Sequence, residues 1–152
     1  MSDDAPTVPR WDATEQWEPR RVVPSVSLRL LQRALGSVFF ASTLSRLGMV
    51  VASKAALGYA RQFKSATVRK VDGLTVVSGL PTRAYPRGGL CVGSVFLTGP
   101  EPTSSVLRHE GQHAKQWRTY GLAMPLLYWL AGRDAKRNWF EVDAGLEDGG
   151  YV

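Results

Sequence analysis

Apolar positions along the chain change their spacing three times, and each change marks a different kind of element. From Val26 to about Phe63 no proline interrupts a pattern rich in Leu, Ala and Val, which predicts one long helix or two helices broken near Gly48. Its bases Arg29, Arg33, Arg46, Lys54, Arg61 and Lys64 fall within about 140° of a helical wheel, leaving a broad apolar remainder. Ala66–Val71, Leu74–Ser78 and Leu90–Thr98 are β-branched or alternating runs, separated by Asp72-Gly73 and by the turn-rich stretch Gly79–Gly89. They predict three strands, the first two joined as an antiparallel hairpin. A helical spacing returns after Pro100 and Pro102, starting near Thr103 or Ser104 and stopping at Gly121. Pro125 then opens a short apolar helix, Leu126–Ala131, closed by Gly132 and expected to pack as core. Ahead of all this, residues 1–24 hold four prolines and little periodicity, so they read as an irregular segment in which Trp11 and Trp17 are docking candidates.

The chain has 152 residues, 44% of them hydrophobic, which suits one domain with a real core. That domain is expected over 25–152, made of a basic amphipathic helical region at 25–64, a small sheet at 66–98 and two or more helices at 103–147. A lone cysteine, Cys91, excludes an intramolecular disulfide and fits a reducing compartment. The net charge of +6 is uneven: residues 1–18 carry five acids and one base, residues 19–71 ten bases and no acid, and residues 72–152 eight of each. The acid-free block points to an anionic partner, a membrane surface before nucleic acid, or to the chain's own acidic start. Arg46 interrupts the most apolar stretch, Ala34–Ala52, so a transmembrane span is not expected.

Candidate chemistry is concentrated in one place. The two histidines, His109 and His113, belong to one HExxH motif, His109-Glu110-Gly111-Gln112-His113. On a helix, residues four apart share a face one turn apart, so both imidazoles can reach a single metal ion with Glu110 beside it. Such a pair leaves an open coordination position, and the adjacent carboxylate can take a proton from water as it attacks a carbonyl. HExxH pairs also arise by chance on polar helices. A chain that uses histidine twice, and both times here, argues against chance. His109, His113, Gln116 and Tyr120 lie on the same helical face, which makes Gln116 and Tyr120 candidate substrate contacts, and Gly93 in the third strand run is a candidate for close backbone approach by an extended substrate.

A site with two histidines needs a third protein donor. Glu141 lies 28 residues past His113 in Asn138-Trp139-Phe140-Glu141-Val142-Asp143-Ala144-Gly145, where Ala144 and Gly145 are small enough for close helix packing. The competing reading is a capping box in which Asn138 caps the helix and Glu141 bonds its backbone. Asp143, Glu147 and Asp148 are further carboxylates on the same segment. For stabilising a carbonyl oxygen the sequence offers Tyr120, Tyr128, Tyr151 and Arg87 without choosing among them.

The HExxH motif together with Asn138-Trp139-Phe140-Glu141-Val142-Asp143-Ala144 resembles the gluzincin branch of the zincin metallopeptidases, in particular minimal single-domain members, over roughly residues 90–147. The resemblance implies Zn²⁺ held by His109, His113 and Glu141, Glu110 as general base and acid, a strand such as 91–97 lining the cleft, and a peptide or protein substrate. Metzincins differ: they carry Gly and a third His or Asp where this chain has Gln116 and Thr119. Peptide deformylases take a cysteine ligand from an upstream strand, but the residues around Cys91 match theirs poorly, so an inert buried thiol is expected there. The expected fold class is α+β, a mainly helical single domain with a small antiparallel sheet packed on the HExxH helix. The expected function is zinc-dependent peptide hydrolysis in a cytoplasmic protein, with peripheral membrane association as an added expectation. The alternative is a non-catalytic protein that binds a membrane surface or nucleic acid through residues 19–71 and whose metal site is degenerate.

Overall fold

The computed structural model describes residues 42–86 and 88–151. The N-terminal segment 1–24 with Trp11 and Trp17, the first part of the basic helical region with Arg29 and Arg33, and Arg87 lie outside the described residues. Helix α1 (Thr43–Ala60) starts where the Ser42 side chain accepts a hydrogen bond from Ser45 N at 3.2 Å. It runs through Gly48 without a break. Its buried residues, Ser45, Gly48, Ala52, Ala56 and Ala60, are all small and recur every three or four positions, so the helix lies close against whatever it covers.

Strands β1 (Thr67–Val71) and β2 (Leu74–Ser78) form the expected hairpin, with Asp72 and Gly73 at positive φ of 48° and 83° in its two-residue turn. The third run departs from expectation. Rather than one strand over Leu90–Thr98, it folds back on itself as β3 (Leu90–Val92) and β4 (Val95–Leu97) about Gly93-Ser94. That reversal sends β4 parallel to β2, so the four strands, in the order β1-β2-β4-β3, form a mixed sheet and not the antiparallel one expected. The α+β class stands.

Gly93 has φ of 64°, and a Cβ added to it would lie 2.2 Å from Ser53 Oγ and 2.7 Å from the Met49 carbonyl oxygen. The close approach this glycine permits is therefore to α1 rather than to a substrate. Ser53 Oγ also accepts from Ser94 N at 2.9 Å, which fixes the hairpin to the helix. Replacing Gly93 with Ala should cost about 2 kcal/mol or more in stability, through strain at positive φ and overpacking. A denaturant midpoint equal to that of the parent chain would show that the turn is not packed in this way.

The central strands β2 and β4 are buried on both faces, while the edge strand β1 is largely exposed. Val77, Val95 and Leu97 meet Ala56 and Ala60 of α1 together with Leu80 and Ala84. Leu74, Val76 and Phe96 meet the HExxH helix α2 (Ser104–Tyr120) through Val106, Leu107 and Ala114. Helix α2 keeps its expected bounds: Thr103 caps it through Val106 N, and Gly121 ends it at φ of 56°. Helices α3 (Met124–Leu130) and α4 (Trp139–Ala144) follow. A third cluster, Ala52, Trp117, Met124 and Phe140, joins them to α1 and α2. Contrary to expectation, α3 is not core throughout: Met124 is buried, but Leu126, Trp129 and Leu130 are 59%, 67% and 64% exposed.

Candidate metal centre

Helical spacing brings His109 and His113 onto one face of α2, and α4 crosses that face with Glu141. All three side chains are buried, at 3%, 7% and 3% exposure. One ligand atom from each lies within 4.8 Å of the others. His109 Nε2 is 3.1 Å from His113 Nε2 and 3.2 Å from Glu141 Oε2, and His113 Nε2 is 3.7 Å from Glu141 Oε1.

The surrounding hydrogen bonds decide what these atoms present to one another. His109 Nδ1 is 3.0 Å from the Gly145 carbonyl oxygen, which can only accept, so Nδ1 carries the hydrogen and Nε2 of the neutral ring carries the lone pair. His113 is set likewise by Gln116. The Gln116 amide nitrogen donates to the Phe140 carbonyl and to Asp143 Oδ2, which turns its Oε1 toward His113 Nδ1 at 2.7 Å. Two imidazole lone pairs and a carboxylate therefore converge in a buried site. Glu141 Oε2 is buried with no hydrogen-bond partner, an omission that costs free energy unless a cation meets it. The residues present fit a divalent metal ion on these grounds, and the nitrogen and oxygen donor set is one that zinc accepts.

Electrostatics reinforce the geometry. Burial works against a charged His109, yet the Glu141 carboxylate, the Gly145 carbonyl and the nearby Glu110 together lift its pKa above the ordinary 6.5. The field that favours a proton there favours a metal cation for the same reason. Burial also opposes the charge on Glu141, but the facing imidazoles of His109 and His113, wherever either takes a proton, and the Tyr128 hydroxyl hold its carboxyl well below the usual range. Glu110 shifts the other way: burial and the neighbouring Glu141 charge raise it, outweighing the two histidines. Burial and then the Glu110 charge push the Cys91 thiol far up in pKa, which keeps it protonated. Its sulfur lies 3.6 Å from the Glu110 backbone oxygen and is not among the three converging side chains.

The rival readings of the C-terminal segment separate cleanly. Asn138 does cap α4, accepting from Phe140 N at 3.0 Å, but its own backbone N–H goes to the Asp134 carbonyl and the Glu141 side chain to the histidines. There is no capping box. Asp143 is held by Gln112 and Gln116, Asp148 by two bonds from Arg108, and Glu147 is exposed. None of the three joins the cluster. Gln116 thus orients the His113 ring, and Tyr120 packs edge-on against Trp139 and Phe140. Beside them, Gln112, Gln116, Thr119, Tyr120, Trp139 and Asp143 line an open groove on the flank of α2 away from Glu110.

Several parts of the centre carried no sequence signal that names them. Tyr128, read as one of four possible carbonyl-polarising groups, instead donates a hydrogen bond to Glu141 Oε1. Asn138 is 1% exposed and its amide donates to the Tyr128 and Gly132 carbonyls, which ties α3 to α4 and so sets Tyr128 against Glu141. Gly145 contributes a backbone oxygen. Gly149 lies against His109, where an added Cβ would come within 2.6 Å of the ring, and the Tyr151 ring centre is 6.0 Å from that of His109. The strand nearest Glu110 is β3, at the sheet edge, and its Cys91 carbonyl already accepts from Trp117 Nε1 at 3.1 Å. An extended peptide added to that edge would have to displace the indole.

No family model, curated protein or solved structure matches the chain.

Proposed function

We propose that the chain is a zinc-dependent hydrolase acting on peptide bonds, with His109, His113 and Glu141 as the metal ligands and Glu110 as the general base. The supporting observation is the convergence of three buried electron-pair donors, two of them locked in the metal-binding tautomer by Gly145 and Gln116. A zinc ion held there would supply Lewis acidity and bring the pKa of water close to neutrality.

The chain's own residues do the rest. Glu110 follows His109 directly on α2 and would take a proton from water. Its raised pKa makes it a better base than an exposed glutamate and a competent acid for returning the proton to a leaving amine. Tyr128 occupies one oxygen of Glu141 and leaves Oε2 for the metal, so it positions the ligand. Burial of all three ligands keeps bulk water from competing for the site.

Protein purified without added metal should carry about one equivalent of zinc, as a site with three protein ligands does. It should cleave an unfolded polypeptide such as reduced, alkylated casein, stop on chelation and resume when zinc is restored. A chain that takes up no metal after incubation with zinc would overturn the reading, and so would cleavage indifferent to chelation.

A further inference from the structure

We propose that the apolar face formed by α1 and α3 docks on the surface of an anionic lipid bilayer. This inference is independent of the metal centre. Leu44, Leu47 and Val51 of α1, and Leu126, Trp129 and Leu130 of α3, are each more than half exposed. Leu122, 63% exposed, bridges the two groups: it closes onto Gly48, where an added Cβ would lie 3.1 Å from its Cγ. Gly48 sits one turn from Leu44 and from Val51 on the same helix. This many exposed large apolar side chains, on two elements linked through Leu122, are uncommon on a protein surface without a partner. An exposed tryptophan among leucines is the side-chain set that settles at the boundary between headgroups and acyl chains.

Charge identifies the partner. Residues 42–71, which include α1, and residues 111–133, which include α3, contain no acidic residue. Arg46 and Lys54 lie on α1. Arg118 stands where its carbonyl accepts from Ser45 Oγ near the start of α1, and Arg133 follows α3 directly. In sequence, residues 19–41 lead into α1 with four further bases and no acid. A second copy of the chain would bring these bases against themselves, which disfavours self-association through this face. Nucleic acid would meet the bases but leave the leucines in water. An anionic bilayer satisfies both, attracting the bases at its surface and taking the apolar side chains to a shallow depth. No helix among the described residues is long and apolar enough to cross a membrane, so the contact would be with one leaflet.

The test is co-sedimentation of the full chain with extruded vesicles, one set of phosphatidylcholine and another containing about one-third phosphatidylglycerol. Binding is expected to the anionic set, much weaker binding to the neutral set, and release as salt rises from about 0.1 M to about 1 M and the screening length falls from about 10 Å to about 3 Å. The triple variant Leu126→Ser, Trp129→Ser, Leu130→Ser, checked for an unchanged far-ultraviolet circular dichroism spectrum, should lose about tenfold or more in partitioning. A second variant, Arg46→Gln with Lys54→Gln and Arg133→Gln, leaves the apolar side chains in place and should remove the preference for anionic vesicles. The proposal is overturned if the parent chain binds neither vesicle set. It also fails if both variants bind like the parent. Equilibrium sedimentation showing a dimer that the triple variant dissociates would overturn it in favour of a second copy as the occupant.

Discussion

Glu110→Gln is expected to keep its zinc and to lose about 10²–10⁴-fold in hydrolysis rate, the usual contribution of a positioned general base. The amide has the shape of the carboxylate, so the packing around it should survive. It cannot accept the proton that Glu110 would take from water. The metal should remain because the converging donors are His109, His113 and Glu141, and neither tautomer-setting bond, to Gly145 or to Gln116, involves the Glu110 side chain. The pairing of readouts matters: zinc by elemental analysis beside initial rates on the same preparation. A variant with full zinc and unaltered rate would remove Glu110 from the chemistry. If rate and zinc fall together, its role is in holding the site rather than in moving a proton.

The second large effect is on stability. An ion that binds the folded chain and not the unfolded one, present at about a thousand times its Kd, stabilises by about 4 kcal/mol. For a chain of this size that corresponds to a rise of about 8–16 °C in the unfolding midpoint. Glu141→Ala should abolish nearly all of that rise. Its effect without metal should be much smaller, because two changes oppose each other. The substitution deletes a packed side chain and the Tyr128 hydrogen bond, but it also removes a buried carboxylate oxygen that has no hydrogen-bond partner. Scanning calorimetry of parent and variant, each with chelator and with zinc, separates these contributions. A zinc-induced rise that persists in Glu141→Ala would place the ion elsewhere on the chain.

The parts of this molecule that could be read from its sequence are those fixed by neighbours in the chain. Thr103 and Gly121 bound α2 because a cap and a positive-φ stop act within one turn, and Asp72-Gly73 forms its hairpin for the same local reason. The two histidines share a face by the helical repeat alone. Small residues nearby and the need for a third donor favour Glu141 over its neighbours, and it does lie within reach of both imidazoles. What escaped depends on contacts remote in sequence. Leu90–Thr98 has the composition of one strand, and the reversal at Gly93-Ser94 is legible once Ser53 and Met49 of α1 stand against it. The parallel pairing of β2 with β4 follows from that reversal. Met-Pro-Leu-Leu-Tyr-Trp-Leu is apolar nearly all round, so periodicity could not reveal that Met124 turns inward and Trp129 outward. The Gly145 carbonyl, as a backbone group, has no residue type to announce it.

Helix α4 has only six residues, far short of the length at which a helix persists by itself in water. It is held by Asn138 at one end, by Phe140 in the core, and by Glu141 reaching across to α2. A metal ion shared between Glu141 and the two histidines would cross-link two segments separated by 28 residues of chain. Release of the ion and local unfolding of α4 then become a single event, and the lifetime of that short helix sets the lifetime of the ligand cage.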